Sequence, residues 1–309
     1  MNVLYKTGKD DLSIVYVADF GEGKLVEFAE SLQPPLPREK KWVLLLSTLF
    51  GCPVKCKFCD CTNGFRGQLS EEEIFSQIKF MINKRFPDGN VLTEKFKIQF
   101  ARMGEPALND NVIPVLKKLP GELNCTNIYP SISTIAPAGR EKFFDDLLSV
   151  KKSLYNNKFQ LQFSIHTTDV KKRDWLIPVK KWGFDKIAEY GNDFYNIRGR
   201  KITLNFALAN GMPIDTKVLE NYFSPDKFLV KITPVNPTYK AELNNIKSNE
   251  VFSRWQEIKN EIESAGYDVI LSLGEPEENQ IGSNCGQYVS AIKNNKIKTE
   301  AYTYNLEKL

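Results

Sequence analysis

Polar and apolar positions along the chain follow two periods, and the second repeats. Leu12-Ser13-Ile14-Val15-Tyr16-Val17 alternates and reads as a strand. Gln33-Pro34-Pro35-Leu36-Pro37-Arg38-Glu39-Lys40-Lys41 carries three prolines and reads as a linker. From Trp42 onward, short apolar runs exchange with helical periods. Trp42 to Thr48 has strand length, and a Cys/Gly loop follows it. Ser70-Glu71-Glu72-Glu73 is a capping box with Ser70 as N-cap, and Ile74, Ile78, Phe80 and Met81 share roughly one helical face. Strands are expected at Phe96–Phe100, Ile128–Thr134, Phe159–Ile165, Ile202–Leu208, Phe228–Ile232 and Val269–Ser272. Helices are expected at Asn109–Lys118, Gly139–Val150, Phe184–Tyr195, Thr216–Tyr222 and Glu250–Ala265, the last ended by Gly266.

About six βα units in a row imply an α/β fold with a parallel sheet and helices outside. Closed or nearly closed, that is a partial (βα)6 barrel, whose active site lies at the C-terminal ends of the strands. Residues 1–41 form a short N-terminal β extension, too small for an independent core. Residues 42–309 form the main body.

Composition narrows the class without naming it. Across 309 residues, 42% hydrophobic and 26% charged is a globular balance, which excludes disordered, collagen-like and coiled-coil chains. The longest apolar run, Val43-Leu44-Leu45-Leu46, even extended by Ser47-Thr48-Leu49-Phe50, is too short to span a bilayer, and the N-terminus has no signal pattern, so a cytoplasmic location is expected. A net charge of +4 permits nucleic-acid contact without arguing for it. Basic clusters at Arg38–Lys41, Lys171-Lys172-Arg173 and Arg198–Lys201 read as solvated faces.

Three of the six cysteines stand within one short loop. In a reducing compartment such crowding points to metal rather than disulfides. Cys52, Cys56 and Cys59 form C-x3-C-x2-C directly after a strand. Three thiolates on one loop can hold a [4Fe–4S] cluster and leave one iron open. An open iron can bind the amino and carboxyl groups of S-adenosyl-L-methionine (SAM), whose sulfonium one electron then cleaves to a 5′-deoxyadenosyl radical. The competing reading is a non-catalytic structural zinc site with Cys61 as fourth ligand, but no second cysteine pair accompanies the loop. Phe58, just before the third cysteine, suits stacking on adenine.

These features resemble the radical SAM superfamily and, within it, the RlmN/Cfr family of methyl-cysteine-dependent methyltransferases. The resemblance runs from about residue 42 to 293. Ser47-Thr48-Leu49-Phe50-Gly51-Cys52 is similar to that family's approach to the cluster. Met103-Gly104-Glu105-Pro106-Ala107-Leu108-Asn109 is similar to its Gly-Glu-Pro block, which implies that Gly104 and Glu105 hold the SAM amino end. Ser133 in Ser131-Ile132-Ser133-Thr134, Ser164 and His166 in Phe163-Ser164-Ile165-His166, and Asn236 in Pro234-Val235-Asn236-Pro237 match further cofactor contacts, the Asn reaching the sugar. Asn284-Cys285-Gly286-Gln287 is similar to the family's methyl-carrier block. The resemblance implies that Cys285 accepts a methyl group from one SAM, and that a second SAM activates it for addition to an unreactive sp2 carbon. Residues 42–309 are then a radical SAM partial barrel ending in a methyl-carrier segment.

The chain also departs from the family. Where the family has a cysteine that resolves the covalent adduct, this chain has Leu45. Cys61, two residues past the cluster loop, is the better candidate resolving thiol, and Cys125 is the other. The family carries a helical RNA-binding domain at its N-terminus; the 51 residues before Cys52 look strand-like, so that domain is expected to be absent. Gly274-Glu275-Pro276-Glu277-Glu278-Asn279, before the last cysteine, is acidic where the family is basic. These departures favour a nucleoside, metabolite or peptide as substrate over the ribosomal or transfer RNA adenine that the resemblance implies. A reductant protein such as flavodoxin or ferredoxin is the expected partner.

Overall fold

In the computed structural model, residues 1–62, 64–272, 276–283, 288–294 and 304–309 are described. One mixed sheet of eleven strands runs through them in the order β10-β9-β8-β7-β6-β5-β4-β3-β2-β1-β11. Seven strands are parallel: β4 (Trp42–Leu46), β5 (Phe96–Phe100), β6 (Ile128–Thr134), β7 (Gln160–Ser164), β8 (Ile202–Leu208), β9 (Phe228–Pro234) and β10 (Val269–Leu271). They stand in chain order, as right-handed βα crossovers deliver them. The order is linear, so the parallel strands form an open arc and not a closed ring.

The N-terminal extension continues this sheet. β1 (Asn2–Lys9), β2 (Ser13–Asp19) and β3 (Leu25–Ser31) form an antiparallel meander, and β3 pairs with β4. The sequence pattern shows only the middle strand, β2: β3 is buried on both faces and lacks the alternation that marks a half-buried strand, and β1 is mostly part-exposed. Here the antiparallel meander covers what would be the free edge of β4. β11 (Glu307–Lys308) pairs with β1.

Helices α1 (Glu71–Arg85), α2 (Val112–Glu122), α3 (Glu141–Val150), α4 (Val170–Leu176), α5 (Phe184–Phe194) and α6 (Thr216–Tyr222) connect the parallel strands. The capping box of α1 forms as its sequence requires: Glu73 N–H donates to Ser70 Oγ, and Ser70 N–H donates to the Glu73 carboxylate at 2.7 Å. The single helix expected over 250–265 is instead α8 (Asn249–Ser253) and α9 (Trp255–Ser264), preceded by α7 (Tyr239–Leu243). Gly266, at φ 90°, ends α9 in a conformation that a Cβ would strain. Two short helices, α10 (Pro276–Ile281) and α11 (Tyr288–Asn294), follow.

The two faces of the parallel strands differ in chemistry. The outer face, under the helices, is apolar: Leu44, Leu46, Ile98, Phe100, Phe163, Leu204, Phe206, Val230 and Ile232 are buried there. In-register partners share a face, so the inner face can be read from the pairings as rows. Val43, Lys97 and Tyr129 form one row, and Leu45, Gln99, Ser131 and Gln160 the next. Ser133, Gln162, Thr203 and Leu229 follow, and then Ser164, Asn205, Lys231 and Ile270. A closed (βα)8 barrel fills this space with branched apolar side chains. Here the interior is polar, which leaves room and hydrogen-bonding groups for a ligand. Among the described residues, no helix is long and apolar enough to cross a membrane.

Candidate active site

The site grows from the loop after β4. Thr48 and Leu49 donate their N–H groups to Met103 O at 2.8 and 3.2 Å, tying the loop to the end of β5. Phe50 and Arg66 exchange backbone contacts with Gly67 and Phe50 respectively, which closes the loop on itself. Its far side is held from the opposite end of the sheet. Thr238 Oγ1 donates to Phe58 O at 2.7 Å, Asn244 Nδ2 donates to Lys57 O, and the Asp60 carboxylate accepts from the Tyr239 and Lys240 N–H groups. Cys52, Cys56 and Cys59 are thus presented from a loop with fixed ends. None is in a disulfide. Burial pushes the Cys52 thiol up to about 11 and the Cys56 thiol well above its ordinary value, so metal binding here must displace protons.

Glu105 sits at the end of β5, fully enclosed. Its carboxylate accepts from Thr134 Oγ1 at 2.5 Å, Ile135 N–H at 2.9 Å and Ala107 N–H at 3.1 Å. Burial pushes its pKa up to about 7, against the pull of those three donors. Gly104 precedes it at φ 98°, and a Cβ there would meet Leu49 side-chain atoms at 2.6 Å. Only glycine lets the strand end and the cysteine loop approach this closely.

His166 follows β7 at φ 65°, a left-handed conformation unusual for a non-glycine residue. Its Nδ1 accepts the Ala207 N–H at 3.1 Å, which leaves the proton on Nε2. Burial drives its pKa down to about 3, so the ring is neutral. Phe58 meets it edge-on, with ring centroids 5.0 Å apart. Ser133 Oγ accepts from Gln162 Nε2 at 3.2 Å.

One cavity of about 360 Å³ unites these groups. Cys52, Cys56, Cys59, Phe58, Gly104 and Glu105 line it, together with Ser133, Ser164, His166 and Asn236. Every cluster and cofactor residue named from the sequence therefore faces one space at the C-terminal rim. Both Cys61 and Leu45 face it too. Cys61 is buried, its Sγ 3.8 Å from Arg102 O. Cys125 lies in the loop before β6 and does not line the cavity. Cys285 and its neighbours 284–287 lie outside the described residues, as do 273–275 of the acidic run. Of the rest of that run, Glu277 pairs with Lys9 at the surface and Glu278 lines the cavity.

Several residues of the site carry no motif. Arg102 and Glu27 form a buried ion pair at 2.7 Å. Arg102 also donates to Gly282 O at 2.9 Å and to Ser283 O, while Glu27 Oε1 accepts the Val289 N–H at 2.7 Å. Tyr288 Oη donates to Ile281 O at 2.7 Å. The backbone on both sides of 284–287 is thus tied to one pair, half of which comes from the N-terminal extension. Gln99, Gln162, Asn205 and Lys231 complete the inner wall. Their signal was present in β7, where Gln160, Gln162 and Ser164 alternate with Leu161 and Phe163. Glu27 left no such trace.

The donor set fits a thiolate-bound cluster and a polar cofactor. Asn205 Oδ1 is buried against the cavity with no partner, a vacant acceptor for a ligand hydroxyl or amine. Among the described residues, no three His, Cys, Asp or Glu side chains are gathered for a single metal ion. A cube places its thiolates on separate irons and does not need that convergence.

The structure superposes on a radical SAM methyltransferase from Sphaerobacter thermophilus with a TM-score of 0.71 at 19% identity, covering 93% of this chain and 80% of that one. By sequence the chain is a homologue of proteins described as probable dual-specificity RNA methyltransferase RlmN. The relative from Thermosipho melanesiensis is 31% identical over 199 residues, 62% of this chain and 55% of that protein. The one from Prochlorococcus marinus is 26% identical over 273 residues, 85% of this chain and 72% of that protein. The chain spans between about half and two thirds of the length of the first curated relatives it matches. No protein-family profile matches it.

Proposed function

We propose that the chain is a radical SAM methyltransferase that moves a one-carbon unit to an unreactive sp2 carbon by way of Cys285. The observation that carries this reading is the single cavity shared by the three loop thiols and five polar strand-end residues. Cys52, Cys56 and Cys59 would ligate a [4Fe–4S] cluster with one iron open. When bound, the cluster and SAM supply an electron and a 5′-deoxyadenosyl radical.

The chain's own residues then bind and orient. Glu105 keeps lone pairs for the SAM amino group while three donors lock its rotamer. The His166 Nε2–H donates into the cavity, and Ser133, Ser164 and Asn236 offer hydroxyl and amide groups to the carboxylate and sugar. Phe58 supplies an apolar face for adenine. Cys285 is the methyl carrier, and the ties from Arg102 and Glu27 hold the ends of its segment beside the cavity. Cys61, inside the cavity, is the candidate resolving thiol, since Leu45 puts a hydrocarbon where the family's cysteine would stand. The substrate is a nucleoside, metabolite or peptide, delivered in the cytoplasm, with electrons from a flavodoxin or ferredoxin. Glu278 on the cavity wall opposes phosphate at that mouth. The second reading, an RNA adenine, is favoured by the names of the homologues.

The test is anaerobic reconstitution of the full chain, followed by intact-protein mass spectrometry. An added methyl group on Cys285, with 5′-deoxyadenosine released on reduction, is the expected result. A colourless zinc-loaded protein that never carries the methyl group ends the proposal. Methyl transfer to a ribosomal RNA fragment, and to no small molecule in cell extract, selects the second reading.

A further inference from the structure

The opposite mouth of the barrel holds a second charged feature that the proposed reaction does not use. Lys41, Lys95, Lys158 and Arg200 stand one or two residues before β4, β5, β7 and β8 respectively, so all four gather at the N-terminal rim. Three of them meet at Tyr129 on β6. Lys95 Nζ and Lys158 Nζ each lie 5.8 Å from the Tyr129 ring centre, and Arg200 Cζ lies 5.3 Å from it. Lys97 is the in-register neighbour of Tyr129 and points the same way, into the lumen. Lys231 continues the positive lining upward from β9 and joins the cavity already described.

The neighbours of these residues behave differently. Lys40 pairs with Glu94, and Lys201 pairs with Asp268 at 2.7 Å, both on the outside. Lys41 and Arg200, one residue away in each case, have no carboxylate partner among the described residues, nor do Lys95, Lys97 and Lys231. Glu278 adds an attractive charge at Lys231. Burial, with mutual repulsion added, pulls Lys97 down to about 7 and Lys95 to about 8. Lys41, Lys95, Lys97 and Arg200 face one another without a carboxylate and are destabilising as they stand, and an anion among them removes both costs.

We propose that this N-terminal mouth is an anion site that takes the phosphate group of a phosphorylated small molecule. Lys97 and Lys231 lie inside the lumen, where a terminal phosphate can enter and a duplex cannot. Arg200 and Lys95 supply charge at the entrance, and Tyr129 holds them there. The rim cations Lys41, Lys95, Lys158 and Arg200 stand at the opposite ends of the strands from the cluster loop, and Lys231 alone is shared with the cavity described above. A strand of five residues spans roughly 15–17 Å, which separates the two mouths by about that much.

The test uses inorganic pyrophosphate and adenosine monophosphate as probes on the reconstituted full chain, by calorimetric titration at low salt. Saturable one-to-one binding is expected, weakened at least tenfold by Lys97→Met or Lys231→Met and unchanged by Lys171→Met, a surface lysine elsewhere. Because Lys97→Met removes a half-buried charge that faces other cations, its unfolding midpoint should equal or exceed the wild type's. Pyrophosphate should raise the midpoint of the wild type and not that of the variant. Tighter binding of the nucleotide assigns a phosphate ester, and tighter binding of pyrophosphate assigns a free polyphosphate. No binding of either probe overturns the proposal, as does equal loss in Lys171→Met. Binding only of an RNA oligonucleotide also overturns it and assigns the rim to nucleic acid.

Discussion

The two mouths of the open barrel are built from the same strands and treat charge in opposite ways. At the C-terminal rim the principal charged groups have partners, and Asn205 Oδ1 is left open. Glu105 accepts three hydrogen bonds, His166 is fixed in one tautomer, and Arg102 is neutralised by Glu27. At the N-terminal rim the cations face one another around Tyr129 without a carboxylate. A site satisfied in this way is preorganised for a ligand that brings balanced charge and needs orientation. An unsatisfied one is arranged for a ligand that brings the missing sign.

The largest effect expected is at the satisfied rim. Replacing Cys52, Cys56 or Cys59 with alanine should abolish iron content and SAM cleavage together, while Cys61→Ala keeps the iron. Equal loss of iron in the Cys61 variant, by metal analysis, would return the loop to a four-thiol site. If Cys61 resolves the adduct, its alanine variant should also accumulate a covalent protein–substrate species.

Next is the buried pair. Arg102→Met leaves the Glu27 carboxylate alone in the core and should cost about 3–5 kcal/mol, read by denaturant unfolding. The double variant Glu27→Leu with Arg102→Met should regain much of that stability yet show less methylation of Cys285, because the ties to 282, 283 and 289 are gone. Normal methylation in the double variant would reduce the pair to a structural role.

Glu105→Ala should weaken SAM binding by about 10- to 100-fold with the cluster intact, the scale of a lost hydrogen bond to a charged group. Unchanged affinity by equilibrium dialysis would remove Glu105 from the cofactor site.

The smallest effect belongs to the other mouth and has a pH signature. Lys97, held near 7 when folded, binds its proton only up to that pH, whereas the unfolded chain keeps it to about 10.5. The unfolded state therefore holds more protons between those values, and stability rises with pH across that window. Lys41, Lys95, Arg200 and Lys231 face the same space and act in the same direction. Lys97→Met should flatten the rise and add about 1–2 kcal/mol at neutral pH, after allowance for solvent in the lumen. An unaltered pH profile of the unfolding midpoint would show that Lys97 is well solvated.

Much of this was legible in the sequence, for a local reason. The α/β repeat, the capping box at Ser70 and the strand ends at Glu105, Ser133 and His166 all rest on periodicities or contacts spanning a few residues. The cysteine spacing is equally local, since one loop sets which thiols can share a cluster. What the tertiary structure alone decided depends on residues far apart in the chain. Of the N-terminal strands, β3 carries no alternation because both its faces are covered. Glu27 meets Arg102 and Val289 only because β3 pairs beside β4 and α11 packs against it. The basic clusters at Arg38–Lys41 and Arg198–Lys201 read as separate solvated faces, yet parallel pairing brings Lys41 and Arg200 to one rim. A one-dimensional pattern records which side of its own strand a residue takes, whereas the opposing strand that it faces is set by sheet order and curvature.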